Sequence, residues 1–213
     1  MVNAGTDQSG VVSKNGENEM KIRLIGAIAA LSMLCATISV AGSVTLTPAN
    51  PQPSKLKEGL AVNYGYPSNK IRTLVDASAA INSSGKRGKP LAGLSYKDTT
   101  EGDLVMTARR EYQVAADING YIKFDAPGSY DIDFLTNDGL QVWIGGQQVA
   151  LYDGIHGCET TRVTTVEVPE AGWYELKALY FQKEGTSCLM MRMGSRGGGG
   201  LAQVPNGAFG YKK

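Results

Sequence analysis

The chain has 213 residues, with 21 Lys and Arg against 20 Asp and Glu and a formal net charge of +1. That length suits one domain with a short appendage. The balanced charge implies no polyanion binder, and the basic residues read as scattered, whereas a nucleic-acid face would need them clustered.

Residues 1–19 are polar and without pattern, and read as an upstream, disordered extension. At Met20 the text changes to MKIRLIGAIAALSMLCATISVAG. Lys21 and Arg23 form a basic start, Leu24 to Ile38 an apolar run, and Ser39-Val40-Ala41 a small-residue end suited to cleavage after Ala41. Residues 20–41 therefore read as a cleavable secretory signal peptide. The competing reading is an uncleaved anchor, for which the apolar stretch, 18 residues when carried from Leu24 to Ala41, is barely long enough. The expected location is outside the cytoplasm, periplasmic or extracellular, with membrane contact only through this segment if it is retained.

Cys35 leaves with the signal peptide, so Cys158 and Cys188 remain. An even pair in an exported chain reads as one disulfide. Two cysteines and the one histidine, His156, fall short of a structural zinc set.

Residues 42–57 read as a linker, rich in proline and small polar residues. The domain proper is expected over 58–213. IRTLVDASAAI at 71–81 fits either a short helix or a strand and turn, and NSSGKRGKP at 82–90 reads as a loop. From 116 onward the pattern is β. YDIDFLT at 130–136 sets Tyr130, Ile132 and Phe134 against Asp131 and Asp133, which reads as a sheet with one wet face. After the turn Asn137-Asp138-Gly139, Leu140, Val142 and Ile144 share a face, and Gly145-Gly146 turns the chain again. TRVTTVEV at 161–168 alternates, as does WYELKALYFQ at 173–182, where Tyr174, Leu176, Ala178 and Tyr180 lie opposite Glu175 and Lys177. CLMMRM at 188–193 and a closing LAQVPNGAFGYK complete the set. Short strands with turn signals every eight to twelve residues predict an all-β sandwich or barrel.

The segments GYIKFDAPGSYDIDFLTNDGLQVWIGGQQV, EAGWYELKALYFQKEG and VPNGAFGY occur in an order that resembles the PA14 domain, a β-sandwich module of glycosidases, adhesins and toxins. GLAVNYGY at 59–66 resembles the opening strand of that family. The resemblance implies a PA14-like antiparallel β-sandwich. In lectin-like members two consecutive aspartates joined by a cis peptide chelate calcium, and the ion holds sugar hydroxyls. Those positions match Asn137 and Asp138, so the first carboxylate is an amide in this chain.

The turn thus has two readings. Asn and Asp before Gly suit a tight turn because they tolerate left-handed backbone and bond to their own chain. They also offer oxygens to calcium (Ca2+), with Asp153 as a further donor, although so few charges support only a weak site. His156 is either a ligand contact or a residue that orders its loop. Trp143 and Trp173 fall opposite the apolar stripes, where an indole can stack a sugar ring or cover an edge. The candidate ligand-binding set is therefore Asn137, Asp138, Trp143, Asp153 and His156.

Catalysis finds no support. No serine sits in a nucleophile elbow, and no metallohydrolase, P-loop or dinucleotide motif occurs. The sequence leads to an exported, non-catalytic binding module with calcium-assisted carbohydrate binding. The alternative is a structural or protein-interaction module, and the expected partner is a glycan or a cell-envelope protein.

Overall fold

The computed structural model describes residues 42–97 and 99–213. The upstream extension and the signal peptide, with its cleavage point, lie outside the described residues. The period-two runs form strands because alternate side chains then share one face. The first half carries β1 (Val44–Thr45), β2 (Lys57–Glu58), β3 (Ala61–Gly65), helix α1 (Leu74–Ser84), β4 (Lys86–Arg87), β5 (Ser95–Tyr96) and β6 (Val114–Phe124). The second half carries β7 (Gly128–Thr136), β8 (Leu140–Ile144), β9 (Gln147–Tyr152), β10 (Glu159–Thr160), β11 (Thr164–Val168), β12 (Gly172–Gln182), β13 (Leu189–Ser195), β14 (Ala202–Gln203) and β15 (Phe209–Tyr211).

These strands make two sheets. One runs β1-β11-β7-β13-β14, with β10 on β7 and β5 on β13. The other runs β2-β15-β6-β12-β8-β9, with β3 on β6 and β4 on β3. All pairings are antiparallel except β1 on β11, which is parallel and makes the first sheet mixed. The expected apolar stripes face one another. Ile132, Phe134, Val166 and Met191 meet Leu140, Val142, Ile144, Tyr174, Leu176, Ala178 and Tyr180 in one buried cluster. Burying such side chains contributes about 1.5–3 kcal/mol each.

Four local readings change. Residues 42–57 are not simply a linker: Val44 and Thr45 pair with Val166 and Glu167, and Leu46 is buried in the core. Two-residue strands leave no periodicity to read. Of the two readings of 71–81 the helix holds from Leu74 onward, and the loop expected over 82–90 contains the last turn of α1 and the edge strand β4. Asp133, expected on a wet face, is buried and ion-paired with Arg192, whose Nε donates to Oδ1 at 2.9 Å. Its neighbour Asp131 accepts the Thr165 hydroxyl at 2.6 Å. Asp131 stays half-buried, whereas Asp133 departs from the wet-face reading because alternation shows which face a residue takes but not what crosses that face from the next strand.

Helix α1 packs outside the second sheet. Leu74, Ala77 and Ala80 form a smaller cluster with Ile71, Ala115 and Phe181, the last two on the opposite parity from the sandwich core. Thr73 caps the helix: its hydroxyl accepts the Asp76 amide at 3.1 Å while the Asp76 carboxylate accepts the Thr73 amide at 3.0 Å. This is a capping box, closed here by Asp. Bonds to backbone amides, chiefly that of Arg72, hold the Asp76 carboxyl below its ordinary range.

Candidate functional site

The turn between β7 and β8 adopts the backbone its composition favours. Asp138 sits at φ +49°, the left-handed region that Asp tolerates. Gly139 is needed for space: a Cβ there would lie 2.1 Å from the Phe181 ring. The turn is not presented to solvent. Asn137 and Asp138 are 4% and 2% exposed.

Two remote segments hold it. The Asn137 amide donates to the Cys188 carbonyl at 3.2 Å and the Asp138 amide to the His156 carbonyl at 3.2 Å. The Asp138 carboxylate accepts the His156 amide on Oδ1 at 3.3 Å and the Lys183 amide on Oδ2 at 2.7 Å. Burial nonetheless pushes the Asp138 carboxyl above its ordinary range, the amide donors opposing that rise. The expected disulfide is present: Cys158 and Cys188 are bonded, with Cα atoms 5.9 Å apart. It ties the 153–158 loop to the start of β13, so the turn lies between the two segments the bond joins.

The candidate residues divide into three places. Asn137, Asp138 and His156 come together. His156 binds the turn through its backbone, while its ring stands edge-on to Tyr152 with centroids 4.0 Å apart. Both of its ring nitrogens and Asn137 Oδ1 are buried with no hydrogen-bond partner among the described residues. Asp153 turns away to accept the Leu74 amide at 2.7 Å, at the first turn of α1. Trp143 stands on the outer face of the second sheet, beside a hollow of about 310 Å³ that it shares with Gly146, Glu175 and Lys177.

A groove that single residues do not announce lies beside the His156 loop. Its volume is about 530 Å³, and β9 and the β10–β11 segment line it with Gln148, Tyr152, Thr160, Thr161 and Arg162. That volume is within the range of small-ligand sites. The groove opens where β9 ends one sheet and β10 and β11 flank the other, a juxtaposition that strand patterns do not specify.

The PA14 domain family model matches residues 75–204. The chain belongs to the PA14 domain family. Solved PA14 structures share its fold: the PA14 domain of the MpAFP antifreeze protein has a TM-score of 0.62 at 15% identity, covering 75% of this chain and 93% of that one. The PA14 sugar-binding domain from an RTX adhesin has a TM-score of 0.57 at 16% identity, covering 73% and 99%. The Epithelial Adhesin 6 A domain from Candida glabrata, solved in complex with Galβ1-3GlcNAc, has a TM-score of 0.58 at 11% identity, covering 80% and 94%. No curated protein matches the chain.

The calcium set implied by the PA14 resemblance can be tested against these donors. Calcium takes six to eight oxygens and gains affinity with each carboxylate. In this PA14 domain Asp138 is the turn's one carboxylate, it is buried, and each of its oxygens accepts a backbone amide. Asn137 Oδ1 is the remaining buried oxygen without a partner, and Asp153 is committed to α1. Among the described residues, no three His, Cys, Asp or Glu side chains gather. The one cis peptide among the described residues is Asn50–Pro51, so the Asn137–Asp138 bond is trans. This donor set does not fit a calcium ion.

Proposed function

We propose that this PA14 domain is an exported, non-catalytic module that binds neutral glycans in the groove between β9 and the β10–β11 segment, without calcium at the Asn137–Asp138 turn. The observation that carries the reading is the makeup of the groove. Tyr152 offers an aromatic surface, while Gln148, Thr160, Thr161 and Arg162 offer hydrogen-bond donors and acceptors along a cleft of about 530 Å³. A pyranose needs both, an apolar C–H face covered and a ring of hydroxyls satisfied. The sugar-binding and glycan-complexed structures that share the fold support the same reading. The disulfide and the turn hold the neighbouring loop in place, which lowers the ordering cost of binding.

Titration calorimetry with Galβ1-3GlcNAc and a panel of neutral oligosaccharides tests this. Binding is expected to be equal in calcium and in chelator, to fall by about tenfold or more in Tyr152→Ala, and to survive Trp143→Ala. A blank panel overturns the reading. Loss of binding on chelation would restore the calcium reading, and loss on Trp143→Ala would move the site to the sheet face.

A second reading, protein interaction, rests on the exposed Leu151, Tyr152, Ile155 and Val163, which are apolar side chains close to the free edge of β9. An unpaired edge with apolar neighbours is a surface on which a partner strand can add.

A further inference from the structure

The segment NSSGKRGKP enters neither reading above, and it is where the basic residues collect. Strand β4 pairs with β3, placing Lys86 beside Tyr64 and Arg87 beside Asn63. The Gly88 amide then donates to the Val62 carbonyl at 2.8 Å. A Cβ on Gly88 would lie 2.6 Å from the Tyr64 ring, so only glycine lets this backbone lie against it. A chain of hydrogen bonds fixes the far wall. The Thr107 amide donates to the Tyr64 hydroxyl at 3.2 Å, and the Thr107 hydroxyl donates to the Lys89 carbonyl at 2.6 Å. The Arg109 amide donates to the Tyr66 hydroxyl at 3.1 Å.

The result is a groove in two lobes that meet at Tyr66. One lobe, of about 300 Å³, is floored by Tyr64 and Tyr66 and walled by Lys86, Arg87, Lys89 and Arg109. The other, of about 600 Å³, continues past Tyr66 to Arg110, with Glu111 beside it. Both guanidinium groups lie over the Tyr66 ring, Arg109 at 5.2 Å and Arg110 at 5.0 Å from its centroid. All five basic residues are exposed, and none is ion-paired with a described carboxylate. On a chain of net charge +1 this is a local concentration of unpaired positive charge. Like charges held side by side repel, and an anion bridging them removes that repulsion.

We propose that this two-lobed groove binds an anionic polysaccharide, with carboxylate or sulfate groups on Lys86, Arg87, Lys89, Arg109 and Arg110 and a sugar face against Tyr66. A polymer fits better than a lone anion because the charges line two open hollows on either side of Tyr66 rather than one closed cup. A nucleic acid is the poorer occupant on the exported reading proposed above, with which the Cys158–Cys188 bond is consistent. The choice of a glycan rests on the binding-module reading above, but the groove is separate from the one at β9.

The test uses the oxidised full chain in calorimetry against alginate, dextran sulfate, neutral dextran and a single-stranded oligonucleotide, at two ionic strengths. Alginate or dextran sulfate is expected to bind, more weakly at higher salt, and neutral dextran is not expected to enter this groove. The variant K86Q/R87Q/K89Q changes exposed side chains only and is expected to weaken anionic binding by about tenfold or more. R109K/R110K keeps the charge and is expected to bind within about threefold of the parent. Tyr152→Ala should leave anionic binding unchanged, which separates failure here from failure of the neutral-glycan reading. The proposal is overturned if neither anionic polymer binds, if the lysine-side variant binds as the parent does, or if the oligonucleotide binds more tightly than both.

Discussion

Asp138 is the residue in which the two readings of the turn compete. Its carboxylate is buried, accepts two backbone amides and still titrates above the ordinary carboxyl range because desolvation outweighs those bonds. A raised pKa means that the folded protein holds the proton more tightly than the unfolded chain. The stability this contributes is fully present below the ordinary carboxyl range and is lost as pH rises through the raised value. The melting temperature of the parent relative to Asp138→Asn is therefore expected to fall as pH goes from about 3 to neutral. A flat difference would show that the amide donors cancel the burial. At this scale the turn itself was legible, since Asn and Asp before Gly tolerate the left-handed backbone that Asp138 adopts, while the bare position at Gly139 answers to the Phe181 ring. Its partners were not, because His156, Lys183 and Cys188 come from loops far along the chain.

At the scale of elements, α1 shows why a candidate ligand was misplaced. Asp153 follows β9 in a loop that reads as ligand-bearing, yet its carboxylate accepts the Leu74 amide at 2.7 Å. An acidic group there meets both an amide left unpaired by the helix and the positive end of the helix dipole. Asp153→Ala is expected to cost about 1 kcal/mol, seen as a lower urea midpoint at unchanged slope. An unchanged midpoint would mean that the Thr73 capping box suffices alone. The helix could not be settled from 71–81 because its buried face is mostly alanine, and what selects it is the patch formed by Ala115 and Phe181 across the sheet. The long strands were legible for the opposite reason: Leu140, Val142, Ile144, Tyr174, Leu176, Ala178 and Tyr180 alternate without a break.

Across the whole molecule, the disulfide closes a span of 30 residues that contains β11 and β12. Closing a loop of that length stabilises by about 3–4 kcal/mol on the chain-entropy model. Reduction is expected to lower the melting temperature by roughly 10 °C and to make the 153–158 loop the earliest to exchange its amides. A reduced protein that melts with the oxidised one would place the stabilisation in the core instead. The basic groove also belongs to this scale. Lys86, Arg87 and Lys89 are separated in sequence from Arg109 and Arg110, so scattered charge in one dimension becomes a concentrated field in three.

The same bond also sets a mechanical limit. A module that holds a surface while its chain is pulled from both ends can pay out only the residues outside the closed span. Thirty residues drawn straight measure about 100 Å, and that slack stays locked while the sulfur bridge is intact. Strand β12, which lies between β6 and β8 at the heart of the second sheet, falls inside the locked length. Under load the oxidised domain can be stretched around this segment but cannot be threaded out through it, so reduction changes its extensibility as well as its melting point.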